Sequence, residues 1–559
     1  MSAVNRTYLF FCGLLITGLT ACGEKDTPDP PPGPTPKNPV FIDAAIGSTS
    51  IGDGVYNIGL QPSIIIDFSE PLKQSTVAGA VTLADVAGVQ VPVSTSLVNS
   101  DKSILVQPNA ALGYLKKYYV QVTTTLQSAS GGTLQTLVSK AFVTKIDSSR
   151  KFPILSDNAL LDLVQQQTFK YFWDFGHPVS GLARERNSSG DVVTSGGSGF
   201  GIMAIPVGIN RGFITRAQGL SRMQTIVSFL KNTAVKVKGA FPHWLNGSTG
   251  AIVPFSLNDN GADLVETSYL MMGLLTARQY FNGADPAETA LRSDINTLYN
   301  NVEWDWFRNG SQNVLYWHYS PDKGWIMNMP IRGWNECLIT YVLAASSTAH
   351  GIPPVVYSSG WAGGSGFLNG GSYYGYTLPL GPAQGGPLFF SHYSFMGINP
   401  NGLSDVYANY ATQTKNHSLI NYKYCIANPR SWYGYSDSCW GLTASDIPSG
   451  YTASSPTNDV SVIAPTAALS SMPYTPDESM KALKFFYYVL GDKIWKEYGF
   501  TDAFSLRDLW FAGSFLAIDQ GPIIVMIENY RTGLLWNLFT SCPEVKTGML
   551  ALGFTAPYL

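Results

Sequence analysis

Asp259, Asp263 and Glu266 stand four and three residues apart at the head of a long apolar run, NDNGADLVETSYLMMGLLTARQYF (258–281). Glu336 occupies a similar junction in MNMPIRGWNECLITYVLAA (327–345), and Asp519 does so in LAIDQGPIIVMIENY (516–530). Only 13% of the chain is charged, against about 25% in ordinary globular domains, so an acid inside an apolar segment carries a desolvation cost that needs a reason. Paired carboxylates above an aromatic floor suit general acid/base cleavage of a glycosidic bond. The aromatics are at hand: Trp317-His318-Tyr319, the FFSHY run with His392 and Tyr393, Pro242-His243-Trp244 and Trp432-Tyr433-Gly434-Tyr435. Their faces fit the C–H faces of sugar rings.

Within that frame each acid has an expected place. If a helix begins near Gly261, Asp263 and Glu266 share a face that continues through Leu270, Gly273, Leu274 and Ala277, which points both acids toward the core. Helix capping is the competing account of Asp263. Glu336 follows Arg332 and Trp334; a bidentate Arg332 contact would orient it, and Trp334 would stack on a sugar. Partial desolvation would raise the Glu336 pKa and suit it to be a general acid. Asp519 precedes Gly521-Pro522, where proline is tolerated in a first helical turn. Glu528 reads as structural, and Asp405 and Asp446 read as turn acids.

The elements that must hold these residues fall into two groups. Strand-like segments run at 63–69, 89–94, 103–108, 118–124 and 140–145, with β-branched and aromatic residues alternating with polar ones, which predicts an all-β sandwich over 40–148. From about 153 to 559 the apolar period becomes helical, in segments such as 157–175 and 215–234, the latter with Thr215 as N-cap. Long helices alternating with Gly- and aromatic-rich loops place function on a loop face. The GGSGFG run (196–201) is not a phosphate loop, since no strand is expected before it and no Lys-Ser/Thr follows.

A net charge of −3 offers no basic face for nucleic acid. Residues 1–21 read as a signal peptide, with Arg6, an apolar stretch and the small-residue LTAC sequence. Residues 22–39 form a Pro-rich tether. Four cysteines remain beyond Cys12 and Cys22; Cys425 and Cys439 bracket a short loop and could pair, but buried thiols are the expectation, and no spacing suggests a metal site. No cofactor is expected, and the protein is expected to be a monomer.

The amino terminus resembles bacterial lipoprotein signals, which implies a lipidated Cys22, a membrane anchor and an outer-membrane location facing the periplasm or the surface. The 40–148 segment resembles bacterial Ig-like domains, here expected to be a spacer. GGSGFGIMAIPVGINRGFITR, the 258–281 run, YWHYSPDKGWIMNMPIRGWNE, FFSHYSFMGINPNGL, CWGLTASD and FLAIDQGPIIVMIENYRTGLLW resemble the glucoamylase-like domain of the Bacteroidetes endo-β-1,2-glucanase family. That resemblance covers nearly all of 153–559. It implies an all-α (α/α)6 toroid, inverting hydrolysis of β-1,2-glucan to sophorose-sized products, Glu336 as general acid and Asp519 as base. Asp259, Asp263 and Glu266 match other acids of the family's cleft. Arg332, Trp334, Trp317, His318, Tyr319, His392 and Tyr393 complete the expected substrate-binding set. The competing class is a non-catalytic glycan-binding lipoprotein on the same fold.

Overall fold

The computed structural model describes residues 35–52 and 54–559. The signal segment, most of the tether and Cys22 lie outside the described residues. The described chain divides into two units, one ending at Lys145 and the other running from Ile146 to Leu559.

In the first unit, Ile64, Ile66 and Phe68 are buried while Ile65 and Asp67 between them are half-buried. This is the period of two that a strand packed on one face must show. Nine strands form: β1 Phe41–Ile46, β2 Thr49–Ser50, β3 Val55–Ile58, β4 Ile64–Phe68, β5 Val81–Asp85, β6 Val93–Val98, β7 Ser103–Pro108, β8 Lys117–Val122 and β9 Val138–Thr144. They make one sheet in the order β2-β1-β4-β7-β6 and another in the order β3-β9-β8-β5. All neighbours pair antiparallel except β3 with β9. The two sheets share a core that includes Ile66, Phe68, Val106, Val120 and Phe142. The strand expected at 89–94 is displaced to Val93–Val98, because Pro92 has no N–H to give a ladder.

In the second unit, the burial of each helix shows its layer. Every residue from Leu264 to Arg278 of the Leu264–Tyr280 helix is buried, as is every residue from Ser195 to Gly208 of the Ser195–Asn210 helix. Helices covered on all sides belong to the interior. By contrast, the Pro286–Asn300 helix buries Leu291, Ile295, Leu298 and Tyr299 along one stripe, and the Arg216–Asn232 helix behaves similarly. These amphipathic helices pack outside and against each other. The Arg216–Asn232 helix starts in a full capping box in which Thr215 and Gln218 each bond the other's backbone N–H, as its sequence anticipates.

The interior helices touch in series. Leu264–Tyr280 packs on both Ser195–Asn210 and Leu338–Ser346, while Ala517–Thr532 packs on Ser195–Asn210 and Pro465–Ser470. A short 3₁₀ turn, Ser394–Met396, contacts both Leu338–Ser346 and Ala517–Thr532. The Gly-rich run does follow a short strand, Val192–Thr194, contrary to expectation, but its glycines serve packing rather than phosphate binding. A Cβ on Gly273 would sit 2.2 Å from the Gly199 carbonyl oxygen, and one on Gly199 would sit 2.2 Å from that of Tyr269. Gly273→Ala is therefore expected to lose about 1–3 kcal/mol of stability through overpacking. Urea unfolding of that variant checks this, and an unchanged midpoint would refute the close crossing.

Cys337, Cys425, Cys439 and Cys542 are all buried free thiols, as anticipated. Burial pushes the Cys439 thiol up, and the charge of Cys425 adds to it. Among the described residues, no helix is long and apolar enough to cross a membrane.

Candidate active site

The first acid cluster forms where the Leu264–Tyr280 helix begins. Asp263 is its N-cap: one carboxyl oxygen accepts from the Val265 and Glu266 N–H groups at 3.0 and 2.9 Å. A two-residue antiparallel ladder sets His318 opposite Asp263 and Tyr319 opposite Ala262. The other Asp263 oxygen consequently faces His243 Nδ1 at 3.1 Å and His318 Nε2 at 3.4 Å. Asp259 lies 3.3 Å from His318 Nε2 and 3.9 Å from His243 Nδ1. Burial alone would lower both imidazole pKa values. For His243 the charges of Glu266, Asp263 and Asp259 prevail and push it up to about 9; for His318 the two aspartates push it up to about 10. Burial would raise Asp263, but the two imidazoles hold it below the usual carboxylate range. His243, Asp259 and Asp263 present ligand atoms within 4.8 Å of one another. Those atoms are already engaged in charged pairs, so a cation would have to displace the His243 imidazolium proton.

Glu266, one turn into the helix, accepts from the Gly196 N–H at 2.7 Å. This ties it to the start of the Ser195–Asn210 helix, where a positive dipole end favours an acceptor. Burial and the Asp263 charge still raise its pKa.

Glu336 lies in the loop two residues before the Leu338–Ser346 helix, not in its first turn. Its own carbonyl accepts from Ser394 Oγ at 2.5 Å, which fixes the backbone while leaving the side chain half-buried. Burial raises its carboxyl to about 7, with the charges of Glu266 and Asp263 adding to the effect. A carboxyl of that strength carries a proton near neutrality and can donate it.

Arg332 and Trp334 do not support Glu336 as expected. Gly333 adopts φ +80°, and this turn sends Arg332 to the exposed surface. Trp334 goes the other way, into the core against Trp361, Phe395 and Tyr410. Arg332→Ala is accordingly expected to leave kcat and KM within about twofold, as surface changes do. A tenfold fall in kcat would return Arg332 to the site. His392 is also structural: it is buried, bonds Ser471 Oγ at 3.0 Å and is pushed down to about 3 by burial and His417. Trp317 and Tyr319 are half-buried, with Trp317 stacked on His318 and Tyr319 edge-on to Trp306 and Trp325.

Asp519 sits in the first turn of the Ala517–Thr532 helix, with Pro522 inside the helix rather than at its start. It belongs to a second acid group that sequence order hides. Asp502 and Asp519 are both buried, and the two side chains act on each other's proton affinity. Asp502 also accepts from the Asp446 N–H at 2.7 Å. Arg186 bonds both Asp446 oxygens at 3.2 Å and both Glu185 oxygens at 3.1 and 3.0 Å. Burial, then the Asp502 and Asp446 charges, raise Asp519 well above the usual range, against the pull of Arg186. Tyr393 joins the two groups. Its buried ring packs on Phe200, Tyr269 and Phe389, and after burial it is the charges of Asp519, Glu336 and Glu266 that raise its phenol.

Comparison with known proteins now bears on this geometry. The family profile described as "Putative glucoamylase" matches residues 328–543, a span that holds Glu336, Asp446, Asp502 and Asp519. A bacterial Ig-like domain profile matches residues 42–144. The solved endo-β-1,2-glucanase from Chitinophaga pinensis, in complex with sophorotriose and glucose, is 52% identical with a TM-score of 0.71, over 73% of this chain and 100% of that one.

The chain belongs to the glucoamylase-like family.

Another family structure, the β-1,2-glucanase from Parabacteroides distasonis, is 38% identical with a TM-score of 0.70, over 93% of this chain and 74% of that one. A curated relative from the same organism, an exo-β-1,2-glucooligosaccharide sophorohydrolase acting at the non-reducing end, is 47% identical over 72% of this chain; the chain spans 58% of that relative's length. Within this glucoamylase-like chain, Asp259, Asp263, Glu266, His318, Glu336, Tyr393 and Asp519 belong to one connected neighbourhood. Arg332, Trp334 and His392 stand outside it. Nothing in the local sequence singles out Asp502, Arg186 or Glu185, and His243 stands out only as part of an aromatic run. The one available signal is CWGLTASD, whose Asp446 reads as a turn acid.

Proposed function

We propose that the chain is an inverting glycoside hydrolase that cleaves β-1,2-glucan to sophorose-sized oligosaccharides, on interior helices arranged as the inner ring of an (α/α)6 toroid. The observation that carries the chemistry is the contrast between acids. Glu336 is held near 7 and can donate a proton to the leaving oxygen, while Asp519 stands in a separate buried group able to take a proton from water. Proximity to the same Tyr393 phenol supports their facing one substrate. The substrate rests on the likeness to the Chitinophaga pinensis enzyme.

In the proposed reaction Glu336 protonates the glycosidic oxygen as the C–O bond breaks. Water attacks the anomeric carbon from the opposite face and gives its proton to the Asp519 group. The paired His243–His318–Asp259–Asp263 box keeps Asp263 charged, which helps Glu336 hold its proton until the leaving oxygen arrives. Half-buried Trp317 and Tyr319 offer apolar faces to sugar rings. The test is a time course on β-1,2-, β-1,3- and β-1,4-glucans with products resolved by size and anomer. Release of α-configured sophorose-series products from the β-1,2-glucan alone is expected; retained configuration, or no product, would overturn the reading. A lipid anchor on Cys22 and an outer-membrane, monomeric protein complete the proposal. Loss of fatty-acid labelling in Cys22→Ala checks the anchor.

A further inference from the structure

The second acid group contains a pairing that ordinary hydrogen-bond accounting leaves open. Asp502 has one oxygen, Oδ2, occupied by the Asp446 N–H. Its other oxygen, Oδ1, is buried with no protein donor, and so is Oδ2 of Asp519. The two buried carboxyls nevertheless act directly on each other's proton affinity, Asp502 raising that of Asp519. Two carboxylates cannot bond each other without a proton, because each is acceptor-only when ionised. Arg186, whose charge reaches the pair, makes its ion pairs with Asp446 and Glu185 rather than with either carboxyl, and Ser514 Oγ donates to Asp446 at 2.5 Å.

We propose that Asp502 is the positioning partner of Asp519: the two carboxyls share one proton, and the singly protonated pair takes the proton of the attacking water. This rests on the hydrolase reading above and deepens it. The shared proton lies between Asp502 Oδ1 and Asp519 Oδ2, which satisfies both orphaned atoms and leaves Oδ1 of Asp519 for water. In the reaction a water O–H bond breaks, its oxygen bonds the anomeric carbon, and the glycosidic C–O bond breaks with its electron pair going to the leaving oxygen. That oxygen takes the Glu336 proton. The water proton goes to the pair, which becomes neutral and doubly protonated; solvent then removes one proton from the pair and returns one to Glu336.

Like charges in contact cannot both ionise easily, so the pair titrates as a unit. Burial, then the charge of Asp446, lift Asp502 to about 7. The groups facing the pair are Asp446, Arg186, Tyr393 and Tyr451. The tyrosines are neutral throughout the working range because burial at Tyr393 and the neighbouring carboxylates at both raise the phenols, and Arg186 stays charged. Of these four groups, Asp446 is therefore the one whose charge changes on the acid side.

The test is the pH profile of kcat/KM for the full chain and for Asp502→Asn. An Asn amide donates a permanent N–H to Asp519 and removes one negative charge, so Asp519 ionises more readily. The acid limb is expected to move to lower pH by about one unit or more, while the alkaline limb set by Glu336 stays in place. A rate that falls evenly with no shift would make Asp502 merely structural and overturn the proposal. Should Asp502→Asn not fold, infrared difference spectra provide a second measurement. With the Glu336 contribution removed in Glu336→Gln, a carboxylic-acid band is expected to persist near neutral pH and to be lost when Asp519→Asn is added, and its absence from Glu336→Gln would equally overturn the shared proton. Full activity in both Asp519→Asn and Glu336→Gln would instead sink the hydrolase reading. Loss of activity in both without an Asp502-dependent shift would sink the pair alone.

Discussion

Glu336→Gln is expected to lower kcat/KM on β-1,2-glucan by about 10³-fold, the middle of the range for removal of a general acid, with little change in stability. The substitution keeps the shape of the side chain and removes the one proton the leaving oxygen needs. Stability should hold because no ion pair is broken: the group beside Glu336 is acidic, and its carboxyl is largely protonated below about 7 through burial and the Glu266 and Asp263 charges. The same cause sets the sign of the pH dependence. In the proposed acid role Glu336 must carry its proton, so the rate should fall as pH rises through about 7. An aryl β-glucan oligosaccharide with an acidic phenol as leaving group needs no proton, and its cleavage should be far less affected in the variant. Equal loss on both substrates would remove Glu336 from the acid role, as would residual activity within about tenfold of wild type.

What the sequence made legible follows from how local each signal is. The 4,3 spacing of Asp259, Asp263 and Glu266 survives folding because all three lie at one helix start, and the Thr215–Gln218 capping box is complete within four residues. Both accounts of Asp263 hold at once, since one oxygen caps the helix while the other faces two histidines. The Arg332–Glu336 pairing failed because its i,i+4 spacing lies in a loop, and a single left-handed Gly333 turns one residue out and the next in. Asp502 was illegible for a different reason. It lies between the short strands Gly499–Phe500 and Phe504–Ser505, with no periodicity to give it a face. Its meaning comes from Asp446 and Asp519, 56 residues before it and 17 after. The interior helices were visible as apolar runs, but their close crossing at Gly199 and Gly273 is a property of two segments together.

Asp263→Ala is expected to be the most damaging single change to the fold of the site, costing about 3–5 kcal/mol near pH 6, the usual loss when one partner of a buried charge pair is removed. Two effects combine. The Leu264–Tyr280 helix loses the acceptor of the Val265 and Glu266 N–H groups, and His243 and His318 are left with Asp259 as their remaining close carboxylate partner. The pH dependence separates these contributions. The histidine pKa values are raised on folding, so their stabilisation is complete below about 6.5 and is lost as pH climbs through about 9 and about 10. Asp263 is depressed, so its share is present above its unfolded value and disappears as the solution is made strongly acidic. The difference between wild type and variant should thus be largest between about pH 4 and 6.5. Above pH 10 it should shrink toward the capping contribution of about 1 kcal/mol. Urea melts at pH 6 and pH 10 measure both ends. A difference that does not narrow with alkali would mean that the imidazoles are neutral in the folded protein and that the box is held by hydrogen bonds alone.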